Sequence, residues 1–423
     1  MAGQVQFDGE FWLPDAPADR ISGVVTFSPT DGGVLSLIGS FADIWDRINQ
    51  RPVPNYQRIL GETDRCGLTL DDCRRTFENP FGRRQRFAVG KLLVNAHYEH
   101  GEPVELDRLV TRISDMVLWL LDGAPTMMPE RQALADGIPI ANQQTELIPL
   151  DAGAQLNLIH RLSVTYDVGR TELRQTVTPR FEFAAPVELD SALDHAFDLL
   201  AAVTIASDRV VAFEDVHYSH PALTKPGGST RQLVDVHEQW RVQADPDRKQ
   251  LIDDRMAFTY GQLGGAEVLG RFLGAVRAHR ALVRQVLRPR YDAAPTVQDS
   301  FFTRAAALEG LDKEQHGDDI WLVKRYLRLA ENVAQPFEAL IGQEDATQRW
   351  CKRMVKLRNN LGHGDPVPLH QSAAELFEMS ESAYWLFVLN LLAEATAPPA
   401  VYHHLMTRSQ RFLFLSKQVR RHY

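Results

Sequence analysis

The chain has 423 residues, 44% of them hydrophobic and 24% charged, which describes an ordinary soluble globular protein long enough for two or three domains. Lys and Arg total 46 against 55 Asp and Glu, and the formal charge of -9 argues against a protein that coats nucleic acid by bulk electrostatics. Residues 383–393 are the longest apolar stretch, short of the roughly 20 a membrane helix needs, and they contain Asn390, so no membrane span is expected.

Met1, Ala2, Gly3 and Gln4 lack the basic cluster and apolar core of a signal peptide. The three cysteines, Cys66, Cys73 and Cys351, have neither the spacing of a disulfide framework nor that of a zinc ribbon. A cytoplasmic protein with free thiols is the expectation.

The first half reads as strands. In Ile21–Ser28 the residues Ile21, Gly23, Val25 and Phe27 alternate with Ser22, Val24, Thr26 and Ser28, and the Asp31-Gly32-Gly33 turn leads into residues 34–38, which predicts a hairpin. Residues 86–98, 156–166 and 174–183 are rich in Val, Leu, Thr, Phe and Tyr and continue the pattern. An antiparallel β-domain of sandwich or barrel type is expected over residues 1–185. Trp12, Trp45 and Trp119 read as core aromatics.

Helical spacing appears over residues 188–207, where Leu189, Leu193, Phe197 and Leu200 recur every three or four residues. Residues 234–242 read as a strand and residues 266–287 as one helix ending at Pro289. This mixed middle region occupies residues 186–292, and Ala293-Ala294-Pro295 marks a boundary. Beyond it five helical segments are expected, at 298–310, 318–341, 348–361, 369–395 and 399–422, with Pro336 kinking or splitting the second. The fold class is therefore α+β and multidomain: a β-rich N-terminal half, a helical middle segment, and an all-α bundle over residues 296–423.

One place in this bundle has the makings of chemistry. Trp350, Met354, Leu357 and Leu361 form the apolar seam of a helix that carries Arg358 and Asn359 and runs into Gly362, His363, Gly364 and Pro366. On an uninterrupted helix, positions five apart lie about 140° apart. Gly362 is expected to stop the helix in the left-handed conformation and turn His363 back towards Arg358. A histidine is a general acid or base at neutral pH, and a fixed guanidinium holds a phosphate through two donors. Such a pair suits transesterification of RNA by its own 2'-hydroxyl, with no metal or cofactor required. A capping arrangement at the helix C-terminus is the structural alternative.

Five cations, Arg349, Lys352, Arg353, Lys356 and Arg358, fall in this helix with no acid between the first and the last. A solvated helix face explains them, and so does a surface that steers a phosphate backbone, with Lys352, Arg353 and Lys356 as RNA contacts.

Arg358 and His363, with Asn359 after the arginine, resemble the Arg-x4-to-6-His signature of HEPN domains, helical ribonucleases of prokaryotic toxin and antiviral systems. The opening Phe7-x-Gly9-x-Phe11-Trp12-Leu13-Pro14, the strand entered by Ile21-Ser22-Gly23, the Leu118-Trp119-Leu120 segment and the run from Phe301-Phe302 to Leu308-Glu309 resemble ApeA-like anti-phage defence proteins. This resemblance implies an endoribonuclease that acts as a homodimer with one composite cleft and is held in check until phage infection. His363 is then the proton-transfer group, Arg358 the phosphate stabiliser, Asn359 an orienting residue and Glu309 a partner for Arg358. The N-terminal half is implied to sense a phage-derived trigger. The alternative is a HEPN-like module that dimerises, or binds RNA or a partner, without cutting.

Other signals point nowhere in particular. His217, His220 and His237 lack a supporting metal-ligand pattern, so no metal site is expected there. Residues 225–230 lack the order of a phosphate-binding loop, and Gly261, Gly264, Gly265 and Gly270 do not make a dinucleotide fingerprint.

Overall fold

The computed structural model describes residues 4–41, 55–79, 84–120, 141–150, 153–167, 170–225, 228–239, 255–292, 294–342, 345–363 and 369–421, and of residues 141–143, 164–167, 170–171, 173, 363 and 369–372 only the backbone. Trp45, Gly364, Asp365 and Pro366 lie outside the described residues.

Six antiparallel strands close on themselves. They are β1 (Val5–Trp12), β2 (Ile21–Ser28), β3 (Gly32–Leu37), β4 (Tyr56–Glu62), β5 (Gly67–Asn79) and β6 (Arg84–Val89). The order β1-β2-β3-β6-β5-β4 returns to β1 through Phe11 opposite Gly61 and Trp12 opposite Leu60. Of the sandwich and the barrel, it is the barrel that forms. Its interior is filled by Phe11, Val25, Phe27, Leu35, Ile59, Leu70 and Phe87, apolar residues drawn from all six strands. Closure depends on missing side chains: a Cβ at Gly9 would strike the Glu62 carbonyl, and one at Gly61 would come within 2.7 Å of the Phe11 ring.

A sheet extends from the barrel. At Gly90 the chain passes from β6 into β7 (Lys91–Val94), which also pairs with β5, and the order continues through β13 (Val234–Glu238), β12 (Phe213–Ser219) and β8 (Glu105–Ile113) to β11 (Arg170–Glu188). Residues 86–98 are thus two strands, bent at a glycine.

Two compact units result, one of Met1–Ser114, Thr178–Asp194 and Ala212–Pro246, the other of Asp115–Val177, His195–Val211 and Asp247–Tyr423. The first holds the barrel and its sheet. In the second are α1 (Met116–Leu120), the hairpin of β9 (Ala141–Pro149) with β10 (Ala154–Asp167), and α3 (Tyr260–Leu263), while α2 (Leu189–Ser207) begins in the first unit and ends in the second.

The rest of the second unit is helical. It comprises α4 (Ala266–Ala278), α5 (Arg280–Tyr291), α6 (Val297–His316), α7 (Leu322–Asn332), α8 (Ala334–Ile341), α9 (Ala346–His363), α10 (Leu369–Glu394), α11 (Pro399–Thr407) and α12 (Gln410–Val419). The split ahead of Pro336 occurs at Val333. The single helix expected over 266–287 is two, broken at His279, whose ring nitrogens reach Glu314 at 2.6 Å and Glu394 at 2.9 Å. These two charge-assisted bonds offset the interrupted turn. Pro289 does not end α5, which runs on to Tyr291, held by a 2.6 Å hydrogen bond between its hydroxyl and that of Thr204.

α10 is the axis of the bundle. From Ala383 to Leu392 its residues are buried, and Asn390 is satisfied there by the Leu329 and Leu386 carbonyls and the Asn332 amide. The long apolar run is a core helix, and among the described residues no helix is long and apolar enough to cross a membrane.

Candidate functional site

The basic helix α9 is fixed from its apolar side. Trp350, Cys351, Met354 and Leu357 are buried, with the Trp350 ring edge-on to Phe337 at 5.0 Å and its Nε1 donating to the Ser382 hydroxyl at 2.9 Å. Burial pushes the Cys351 thiol up to about 12, so it is an inert core group. With the seam held, positions 352, 353, 356 and 358 are presented away from the core.

Arg358 is about one-third exposed and contacts two elements of its surroundings on α6. Its Nη2 lies 3.5 Å from Glu309 Oε2, and its guanidinium carbon sits 5.8 Å from the centre of the Phe302 ring. Nη1 also approaches the Asn359 side-chain oxygen at 3.4 Å. Phe302 and Glu309 are seven residues apart on α6, two helical turns, so they lie on one stripe facing α9. Glu309 is shared with Lys313, which donates to it at 2.9 Å. Behind the pair, the buried Tyr326 hydroxyl donates to the Ala305 carbonyl, and burial together with the Glu309 charge raises its pKa.

Three of the sequence-derived residues, Arg358, Asn359 and Glu309, are therefore together. Of their supports, Phe302 entered the sequence reading only as part of the Phe301-to-Glu309 run and Tyr326 not at all, although the seven-residue spacing of Phe302 and Glu309 was there to read. His363 is the last residue of α9, and its side chain lies outside the described residues.

Gly362 corrects an expectation. It is helical and does not take the left-handed conformation, so α9 continues through it to His363. A glycine inside a helix costs about 1 kcal/mol and does not by itself end it, and a Cβ at 362 would meet Phe302 at an ordinary 3.9 Å, on the same α9 face as Arg358 four residues earlier. Within one chain the backbone therefore sets positions 358 and 363 about 140° apart around the axis.

The cations differ in their engagement. Lys352 and Lys356 are exposed, whereas Arg353 makes a two-pronged ion pair with Glu375 of α10 at 2.5 and 2.6 Å. In the first unit, His217 is clamped between carboxylates, with Nδ1 2.7 Å from Asp235 and Nε2 2.9 Å from Asp215. Those two bonds outweigh the effect of burial and raise the His217 pKa to about 9.

Residues 6–266 match the family model described as ApeA N-terminal domain 1, well over half of the chain. The chain belongs to the ApeA family. It is thus an ApeA-like anti-phage defence protein, and the matched region of this ApeA-family chain takes in the barrel, its sheet, the β9–β10 hairpin, α2 and α3. No curated protein and no solved structure matches the chain. The helix bearing Arg358 follows the region that the ApeA model covers.

Proposed function

We propose that this ApeA-family protein is a cytoplasmic HEPN-type endoribonuclease that cuts RNA by attack of the 2'-hydroxyl on the adjacent phosphate, without a metal. The observation that carries the reading is the setting of Arg358. A guanidinium near the end of a helix is held by a carboxylate and an aromatic face while a third of it stays open, which suits a donor pair aimed at a phosphate.

In the proposed reaction His363 transfers the proton between the 2'-hydroxyl and the leaving 5'-oxygen, and Arg358 stabilises the charge that develops on the phosphorane oxygens. Because the two positions diverge around one helix, a cleft shared by two copies is the arrangement that lets the arginine of one meet the histidine of the other. Asn359 steadies Arg358, and Lys352 and Lys356 steer the RNA. Residues 296–423 form the catalytic bundle on this reading, residues 1–185 the sensor of a phage-derived trigger, and residues 186–292 connect them.

Purified protein and its His363→Ala and Arg358→Ala variants, incubated with total RNA in excess EDTA, test the proposal. Wild-type protein should leave 2',3'-cyclic phosphate ends, and each variant should lose at least about a hundredfold in rate. If protein taken from phage-infected cells cuts no RNA, the ribonuclease reading fails. Cleavage that survives both substitutions removes the assigned site.

A further inference from the structure

A second feature of the helical unit has no part in that reaction. Between α5, α6, α10 and α12 lies a cavity of about 450 Å³, lined by Arg209, Arg290, Arg304 and Arg411 against one carboxylate, Glu381. Its size falls within the range of small-ligand sites. Pro289, Pro295 and Val297 add apolar lining, and the half-exposed Phe377 ring is also among the lining residues.

The arginines are built in from behind. Arg290 and Arg304 are each more than nine-tenths buried, and their guanidinium carbons lie 4.0 and 5.3 Å from the centre of the Tyr384 ring. Arg290 Nη1 pairs with Asp208 at 2.8 Å and Arg304 Nη1 with Glu381 at 2.6 Å. Asp208 stands just past the end of α2 in a left-handed backbone conformation (φ 51°), and its carbonyl accepts from both Arg290 and Arg411. A non-glycine residue seldom takes this conformation, so its surroundings hold Asp208 in place.

Its carboxylates do not use up its donors. Arg290 Nε and Arg304 Nε are buried with no hydrogen-bond partner among the described residues, and Arg290 Nη2 has only a long 3.5 Å ion pair with Glu381. Arg411, at the rim and about half exposed, lies 3.4 Å from Glu381. Buried guanidinium donors left unmatched are expensive, and an anion with several acceptor oxygens is the partner that would satisfy them.

We propose that this cavity binds a nucleoside phosphate, with Arg290, Arg304 and Arg411 on the phosphate and Phe377 against the base. Arg209 is held by Asp115, Arg290 by Asp208 and Arg304 by Glu381, so Arg411 at the rim is the cation in excess; an anion balances it, and an aromatic face beside a phosphate site stacks a base of any kind. α6 lines the cavity with Val297, Ser300 and Arg304 and meets Arg358 with Phe302 and Glu309, so one helix serves both places.

Calorimetric titration of the full chain with the four ribonucleoside 5'-monophosphates, with adenosine and with inorganic phosphate tests this without reference to RNA cleavage. At least one monophosphate should bind at least tenfold tighter than either adenosine or phosphate. Arg411→Gln, at the exposed rim, should weaken it tenfold or more in a protein that still melts cooperatively, and Phe377→Ala should weaken it while sparing phosphate. Arg288→Gln, on the same helix as Arg290 but outside the cavity, should bind as the wild type does. The proposal is overturned if no monophosphate binds at millimolar concentration, if the nucleoside adds nothing to phosphate, or if Arg411→Gln leaves binding intact.

Discussion

The Arg358 guanidinium lies 3.5 Å from the Glu309 carboxylate, across the contact between α9 and α6. An arginine one-third open to solvent gains little stability from such a pair, ordinarily below about 1 kcal/mol. Its effect is on position. Glu309→Gln should change the melting temperature by no more than a degree or two, yet lower RNA cleavage several-fold, less than Arg358→Ala does. Thermal melts read beside cleavage rates check this, and a large loss of stability with normal cleavage would contradict it.

Gly362 offers a direct test of how α9 ends. Its helical conformation and the ordinary 3.9 Å contact a Cβ would make with Phe302 predict that Gly362→Ala is accommodated. Alanine in place of a helical glycine raises stability by about 0.5–1 kcal/mol. Denaturant unfolding should show that gain. A loss would mean that the glycine does adopt the left-handed cap.

Glu381 should make the helical unit sensitive to acid. Burial pushes its carboxyl up, but the charges of Arg304, Arg290 and Arg411 outweigh it and hold the pKa at about 2. A depressed folded-state value means the stabilisation is complete above the unfolded value of roughly 4.3 and is lost as pH falls through about 2. Glu381→Gln should flatten the stability profile in that window, from a starting point about 3–5 kcal/mol lower because a buried cation loses its partner. Urea midpoints measured from pH 6 downwards read both effects.

His217 predicts the opposite slope in the barrel unit. Its pKa, raised to about 9 by Asp215 and Asp235, stabilises the fold fully below the unfolded value near 6.5. That contribution disappears as pH rises through about 9. It is on the order of 2–3 kcal/mol after allowance for the quarter of the side chain that solvent reaches. His217→Gln should remove the decline between pH 6.5 and 9, and an unchanged slope in the variant would exclude the clamp as its source.

Much of this protein is written in local pattern. Alternation in Ile21–Ser28 with the Asp31-Gly32-Gly33 turn specified the first hairpin, and the three- and four-residue spacing around Trp350 and Leu357 specified the seam of α9, because period alone tells a strand from a helix. The total charge of -9 also resolves by region: residues 296–423 hold 15 cations and 15 anions, and the first 295 residues hold 31 and 40. What local pattern does not contain is partnership. That Gly61 lies under Phe11 and so closes a barrel and that His279 breaks a helix to reach Glu314 and Glu394 both depend on residues distant in the chain. The same holds for the arginine cavity, whose members come from four stretches of sequence and whose charges have meaning only once folding has removed them from water.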